Sequence, residues 1–308
     1  MTAVTLSSSP AADACMSFAA SRLANPNIKE ETSLIIWDPA KGIEHFIRQV
    51  KFEKAPKDFA FVIPVPSIPD FAEAPADLFK WIDAELYPHG ETKGRGLLEG
   101  AVGGSGGGKP AVVKVLKRQD VAGLNATVIT SESAEALTAW LKKNKYSIPK
   151  DATPWIKHYV DLKWNFIALK INPSKKGKVA KSIASPMLRI SFATKRPFFP
   201  YRESEARKSV SGREFSLFVI APTKLVGKYE SEEPWSTYQE TGKLISRSPK
   251  AKATKSGYEF EDSKLVAFLD ELQGKPAKPE DFYVQHFRNN EERRPLAEDL
   301  YFDPPVGK

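Results

Sequence analysis

The arrangement nearest to a nucleotide site is Gly103-(x4)-Gly108-Lys109, which has the glycines and lysine of a phosphate-cradling loop. Such a loop turns backbone N–H groups and a lysine toward the phosphates, sets a Ser or Thr on magnesium, and opens a helix. Here Pro110 stands where the Ser or Thr should be, and Ala111-Val-Val-Lys-Val115 is β-branched, so a strand should follow. Nucleotide binding is not expected, and Gly90 to Pro110 reads as a flexible loop. Cys15 is the only cysteine, which excludes an intramolecular disulfide and a thiolate metal cluster. It lies in weakly patterned sequence without an activating motif, so it reads as a free or intermolecularly paired thiol. A nucleophile pair with His45, His89, His158 or His286 is not expected. Those four histidines show neither His-x-His nor His-x-x-x-His spacing, so no zinc site is assigned. The doublets Glu30-Glu31, Glu232-Glu233 and Glu291-Glu292 read as solvated, since adjacent side chains do not face one cleft. Carboxylates distant in sequence could still converge in the fold, as in a glycoside-type hydrolase, but nothing selects a pair. Asn125-Ala-Thr127 is a formal glycosylation sequon, which would carry no meaning if the protein were bacterial. No catalytic, cofactor-binding or metal-binding residue is assigned, and no cofactor is expected.

One segment invites a different chemistry. Arg196-Pro-Phe-Phe-Pro-Tyr-Arg202 gathers three aromatics and two arginines between expected strands. Arg and Tyr are enriched in binding hot spots, and prolines would stiffen the loop. Arg196, Phe198, Phe199, Tyr201 and Arg202 are therefore the candidate partner-binding residues. The competing reading is that Phe198 and Phe199 cover the end of a sheet.

The elements that must position these residues are those of a globular chain. Hydrophobic residues make up 41% and charged residues 27%, and the six Trp and eighteen Phe need a core to cover them. The twenty-four prolines favour short elements joined by ordered loops over a helical bundle. The net charge is +8, but lysines are dispersed, and the dense run Lys175-Lys176-Gly177-Lys178 has no interleaved aromatics. Nucleic acid is therefore not the expected partner. No stretch reaches the roughly 18 apolar residues of a membrane-spanning helix. The first ten residues lack a basic region, although Ala12-Asp-Ala14 has the small-x-small spacing of a signal-cleavage site.

Ser33–Trp37 and Ile43–Phe52, joined by Asp38-Pro-Ala-Lys-Gly42, should form an antiparallel hairpin, with a bulge in its second strand. Phe59–Pro66 reads as a buried strand in which Pro64 must sit at an edge or at the strand end. Ala111–Lys117, Leu124–Thr130, Asn165–Ile171, Pro186–Phe192 and Glu214–Ala221 are further strands. Helices are expected over Ala76–Leu86, after an N-cap at Ser131, over Pro154–Leu162 and over Ser263–Leu272. Residues 241–257 read as an exposed loop, and the aromatics after Asp281 as anchors docking onto their own domain. Strands dominate and helices are inserts, so the class is α+β with mainly antiparallel sheet.

The hairpin, then Pro56-Lys-Asp-Phe-Ala-Phe-Val-Ile-Pro-Val-Pro66, Asp77-Leu-Phe79, Ala134–Pro149 and Trp164–Lys170, resemble the bacterial domain-of-unknown-function family 2330. The resemblance covers about residues 12–222, and the Phe-Ala-Phe-Val-Ile-Pro-Val-Pro block is its most specific part. It implies an exported bacterial protein, periplasmic or extracellular, and brings no catalytic residues with it. The expected organisation is an irregular lead-in over 1–30, a family-like core over 31–222, and a C-terminal extension over 223–308 with one helix and a docking tail. The expected function is a non-catalytic binding or structural protein of the bacterial envelope, whose partner is another envelope protein or polymer. The alternative is a hydrolase acting on an envelope polymer through carboxylates assembled by the fold.

Overall fold

The computed structural model describes residues 16–19, 28–52, 59–87, 113–146, 148, 152–171, 184–202, 214–235, 238–243, 247–254, 257–274, 282–289 and 298–305. The glycine-rich loop, Cys15, His89, the 175–178 lysine run and Glu291-Glu292 lie outside them.

The hairpin forms from β2 (Ile28–Asp38) and β3 (Ile43–Phe52), and Gly42 adopts φ +62° at its turn. The register irregularity lies at Ile28/Glu30, in the first strand and not the second. The uneven apolar pattern of β3 has another cause. Glu44, Phe46, Arg48 and Val50 share one buried face, so two polar side chains point into the core. A seven-stranded sheet grows from this hairpin in the order β13 (Tyr238–Lys243), β16 (Tyr283–Asn289), β11 (Glu214–Ala221), β2, β3, β9 (Leu188–Ala193), β5 (Asp70–Glu73). Its one parallel pair among the described residues is β11 with β2.

A second sheet has five strands, in the order β1 (Met16–Ala19), β4 (Phe59–Val65), β8 (Asn165–Ile171), β7 (Leu124–Ser131), β6 (Val113–Val121). β1 pairs with β4 only as far as Val62, so Pro64 lies at the strand end, where its missing N–H is harmless. The continuous apolar run of β4 is explained by burial on both faces. Phe61, Ile63 and Val65 meet the seven-stranded sheet, while Ala60 and Val62 face helices.

The layers follow from these faces. The helices α2 (Ala134–Lys143) and α3 (Ala152–Asp161) cover the outside of the five-stranded sheet through Leu137, Leu141, Trp155, Ile156 and Tyr159. On the far side, α1 (Leu78–Leu86) and α4 (Lys264–Gln273) cover the seven-stranded sheet through Leu78, Phe79, Ile82, Leu265, Phe268 and Leu269. The cap of α2 is Ser133, whose side chain accepts the Ala136 N–H, and not Ser131, which ends β7. Leu162, the expected last residue of this helix, lies just beyond its end at Asp161 and is 42% exposed.

Two parts of the expected organisation change. Met16–Ala19 is a paired strand inside the expected lead-in. Residues beyond 222 are no appendage, since β16 pairs with β11 and completes the large sheet. The segment read as an exposed loop contains β14 (Arg247–Thr254), which pairs with β15 (Gly257–Asp262). Three further short strands, β10 (Phe198–Phe199), β12 (Val226–Tyr229) and β17 (Leu300–Asp303), form a small sheet in the order β10-β17-β12. Its apolar side chains Phe199, Leu300 and Phe302 join the core between the two large sheets.

Candidate functional site

The outer face of the small sheet is where the fold collects ionisable groups. Along β17 the pleat alternates: Leu300 and Phe302 are buried, whereas Tyr301 and Asp303 are half-buried on the other face. Lys228 lies opposite Tyr301 in the register, on the same face. Arg196 arrives from the turn before β10 and lies over the Tyr301 ring, 4.1 Å from its centroid. Its Nη1 donates to Glu232 Oε1 at 2.9 Å and to Asp303 Oδ2 at 3.2 Å. Lys228 Nζ stands 3.3 Å from Glu232 Oε2 and 3.8 Å from Asp303 Oδ2. The hydrogen bond from Arg196, then that from Lys228, holds the Glu232 carboxyl below its usual range.

A second cluster adjoins Tyr301 on the α3 side. Trp155 and Tyr159, one turn apart on α3, pack edge to face at 4.9 Å. The Tyr159 hydroxyl donates to Asp299 Oδ1 at 2.9 Å, and the Arg202 backbone N–H donates to the same oxygen at 2.9 Å. The Trp155 indole donates to the Arg202 carbonyl at 2.9 Å. Arg202 Nη2 pairs with Glu230 Oε2 at 2.7 Å, and His158 Nε2 lies 3.6 Å from that oxygen, too far for a hydrogen bond. Burial pushes the Asp299 carboxyl up to about 6, against the lowering effect of its two hydrogen bonds. Burial, then the Arg202 charge, pushes His158 down. Tyr301 is pushed up to about 12 by burial and then by Asp299 and Glu230. Asp299 Oδ2, Arg202 Nε and His158 Nε2 are buried and meet no hydrogen-bonding group among the described residues.

The candidate partner-binding loop needs correction. Phe198, Phe199 and Tyr201 are 1%, 0% and 4% exposed, so no partner touches these rings. They belong to the core because each has aromatic neighbours waiting: Trp164 for Phe198, Phe46 and Phe215 for Phe199, Trp235 for Tyr201. Of the five residues, only Arg196 and Arg202 stay partly open, and both are ion-paired. The reading in which Phe198 and Phe199 cover a sheet is the one that matches.

The histidines are dispersed. His45 Nδ1 meets Ser191 Oγ at 2.8 Å, and burial, then Arg189, holds its ring at about 4. His286 stacks on Phe218 at 4.0 Å and bonds the Tyr87 hydroxyl. Among the described residues no three His, Cys, Asp or Glu side chains are grouped to hold a metal. Of the glutamate doublets, Glu31 is not solvated: it is 1% exposed and pairs with Arg48 at 3.0 Å, beneath which lies the Phe61 ring. Sequence reasoning missed Glu44, Glu230 and Asp299 altogether. For Glu44 a signal existed, since it occupies a core-facing position in a strand of alternating pattern. Glu230 and Asp299 carry no such mark.

The sequence pattern of an uncharacterized protein family conserved in bacteria, domain of unknown function 2330, matches residues 9–239. The chain belongs to that family. The match reaches somewhat further at both ends than the resemblance read from motifs, and it takes in β11 and β12. Asp299 and β17 lie outside it. No curated protein matches the sequence. Among solved structures, the crystal structure of baculovirus P35 aligns with TM-score 0.42 at 9% identity, covering 91% of this chain and 98% of that one. A likeness at that level carries no argument here. No helix among the described residues is long and apolar enough to cross a membrane.

Proposed function

We propose that this protein is a non-catalytic binding or structural component of the bacterial cell envelope, periplasmic or extracellular, that meets its partner on the outer face of the small sheet. The observation that carries the reading is the half-buried stack of Arg196 on Tyr301, braced by Lys228, Glu232 and Asp303. Arg and Tyr supply a large share of binding energy at interfaces. Side chains already fixed by ion pairs lose little further freedom when a partner arrives. The face carries both signs of charge, so it suits another envelope protein or a polymer of mixed polarity. The family's distribution supports a bacterial protein.

The test is crosslinking in native cells, purification, and mass spectrometry of what is captured. A reproducible envelope partner, lost in the Arg196→Ala, Lys228→Ala double variant while its thermal midpoint holds, supports the reading. A clean monomer from intact cells overturns it.

The alternative, a hydrolase acting on an envelope polymer, draws support from the second cluster. A carboxyl held at about 6 by burial, near a second carboxylate and an imidazole, has the protonation a general acid needs. Asp299 is only 1% exposed, however, and a general acid must touch the oxygen it protonates. Turnover of an envelope polymer that vanishes in Asp299→Asn and Glu230→Gln would favour this reading over binding.

A further inference from the structure

The segment from Phe198 to Arg202 is held at each end by a buried acid from a different part of the chain. At one end Glu44 of β3, fully buried, accepts the Phe198 N–H on Oε2 at 2.9 Å. At the other, Asp299 accepts the Arg202 N–H on Oδ1 at 2.9 Å, together with the Tyr159 hydroxyl. Both acids share one asymmetry: among the described residues every donor goes to one oxygen, while Glu44 Oε1 and Asp299 Oδ2 meet no hydrogen-bonding group. A buried carboxylate calls for donors at both oxygens, whereas a neutral acid accepts at its carbonyl oxygen alone and carries its proton on the other, so burial with donors at one oxygen costs the neutral form less. Pro200 between the two ends has no N–H to add, so the acids anchor the segment together with its pairing to β17 and the Trp155 bond to the Arg202 carbonyl.

We propose that Glu44 and Asp299 are proton-operated catches on the Phe198–Arg202 segment, closed when neutral and loosened when they ionise. The setting of each acid is consistent with this. Glu44 lies opposite Trp37 on β2 and Phe192 on β9, with the Phe198 amide in front of it, so nearby side chains favour the neutral form. Burial raises it well above its usual 4.5. Asp299 faces Arg202 from the segment, Tyr159 with His158 beside it from α3, Glu230 from the end of β12, and Tyr301 from β17. The Arg202 cation is already shared with Glu230, which leaves it less able to stabilise a second negative charge.

Opening the segment lets each acid return to its ordinary acidity, so opening becomes easier as the pH climbs between the open and closed values. For Asp299 that window runs from 3.8 to about 6. Amide hydrogen exchange at Arg202 and Phe198, corrected for intrinsic rate, reads the opening directly. In the wild-type protein, protection at Arg202 should fall up to about a hundredfold across that window and then level. Asp299→Asn keeps an acceptor for the Arg202 N–H and has no proton to lose, so its protection should stay flat. Glu44→Gln should do the same at Phe198. His45 titrates in the opposite sense, which is why the variants, and not the wild-type curve alone, decide. A flat wild-type profile, or an unchanged slope in both variants, overturns the proposal. Should a variant fail to fold, the infrared carbonyl band of a protonated carboxyl in the wild-type protein near pH 6 decides. Its presence supports the catches and its absence removes them.

Discussion

The inner face of the small sheet carries Phe199, Leu300 and Phe302, all closed from solvent, whereas its other face carries Tyr301 and Asp303 with Arg196 and Lys228 beside them, all partly open, and only Phe198 at its β10 end is closed, under Trp164 and Phe192. The two faces are built from the same few residues of chain, one pleat apart, yet they answer to different forces. Inside, stability comes from apolar area removed from water and from close aromatic packing. Outside, it comes from ion pairs in high dielectric, which individually contribute little and weaken with salt. The difference teaches where each kind of change will register: inner-face substitutions should move stability, and outer-face ones should move interactions.

The largest effect should follow Phe199→Ala. This ring is fully buried and packs on Phe46 at 5.9 Å and Phe215 at 5.0 Å. Its removal should cost about 3–5 kcal/mol, read as a lower denaturant midpoint with unchanged slope. An effect below about 1 kcal/mol would show that the small sheet is not part of the common core. Next comes Asp299, at the seam between the faces. Its carboxyl is raised from 3.8 to about 6, so its contribution is complete below about 3.8 and is lost as the pH rises through about 6. Relative to the wild type, Asp299→Asn should therefore gain roughly 2 kcal/mol between pH 4 and pH 7, measured by denaturant unfolding at each pH. Smaller again is Gly227→Ala on β12. A Cβ there would lie 2.8 Å from Trp235 Cε3 and 3.3 Å from Phe302 Cε1, two core rings. Overpacking of this kind should cost about 1–3 kcal/mol, and a thermal midpoint equal to wild type would mean the rings move aside freely.

The contrast between faces also explains what was legible in the sequence. β3, β8 and β11 stand at their expected bounds because each is an apolar or alternating run that needs nothing distant to define it. α1 and α4 follow from their periodicity, the latter sharpened by Gly274 at φ +69°. β14, by contrast, has the sequence Arg-Ser-Pro-Lys-Ala-Lys-Ala-Thr, and only its pairing with β15 makes it a strand. The arginine-aromatic segment was visible as a composition but not as a location. Its rings are buried because residues from β3, β11 and the stretch after β12 enclose them, which no local pattern could foretell. Asp299 was invisible for the same reason: its partners Tyr159 and Arg202 come from other parts of the chain. Periodicity reports which face is apolar; it does not report which acids a fold encloses.

The smallest stability effect should belong to the outer face. Arg196→Ala removes pairs with Glu232 and Asp303 and a stack on Tyr301, but Glu232 is 54% exposed and water replaces what it loses. A cost under about 1 kcal/mol is expected, falling further as salt is raised. The core beneath should not register the change, since the side chains facing it from Phe199, Leu300 and Phe302 are untouched. Capture of an envelope partner in crosslinked cells should nonetheless drop sharply, because the stacked guanidinium is the part of this face best placed for contact. If Arg196→Ala instead destabilised the fold as much as Phe199→Ala, the two faces would be one cooperative unit. The division of labour between them, and with it the case for an outer binding face, would fall.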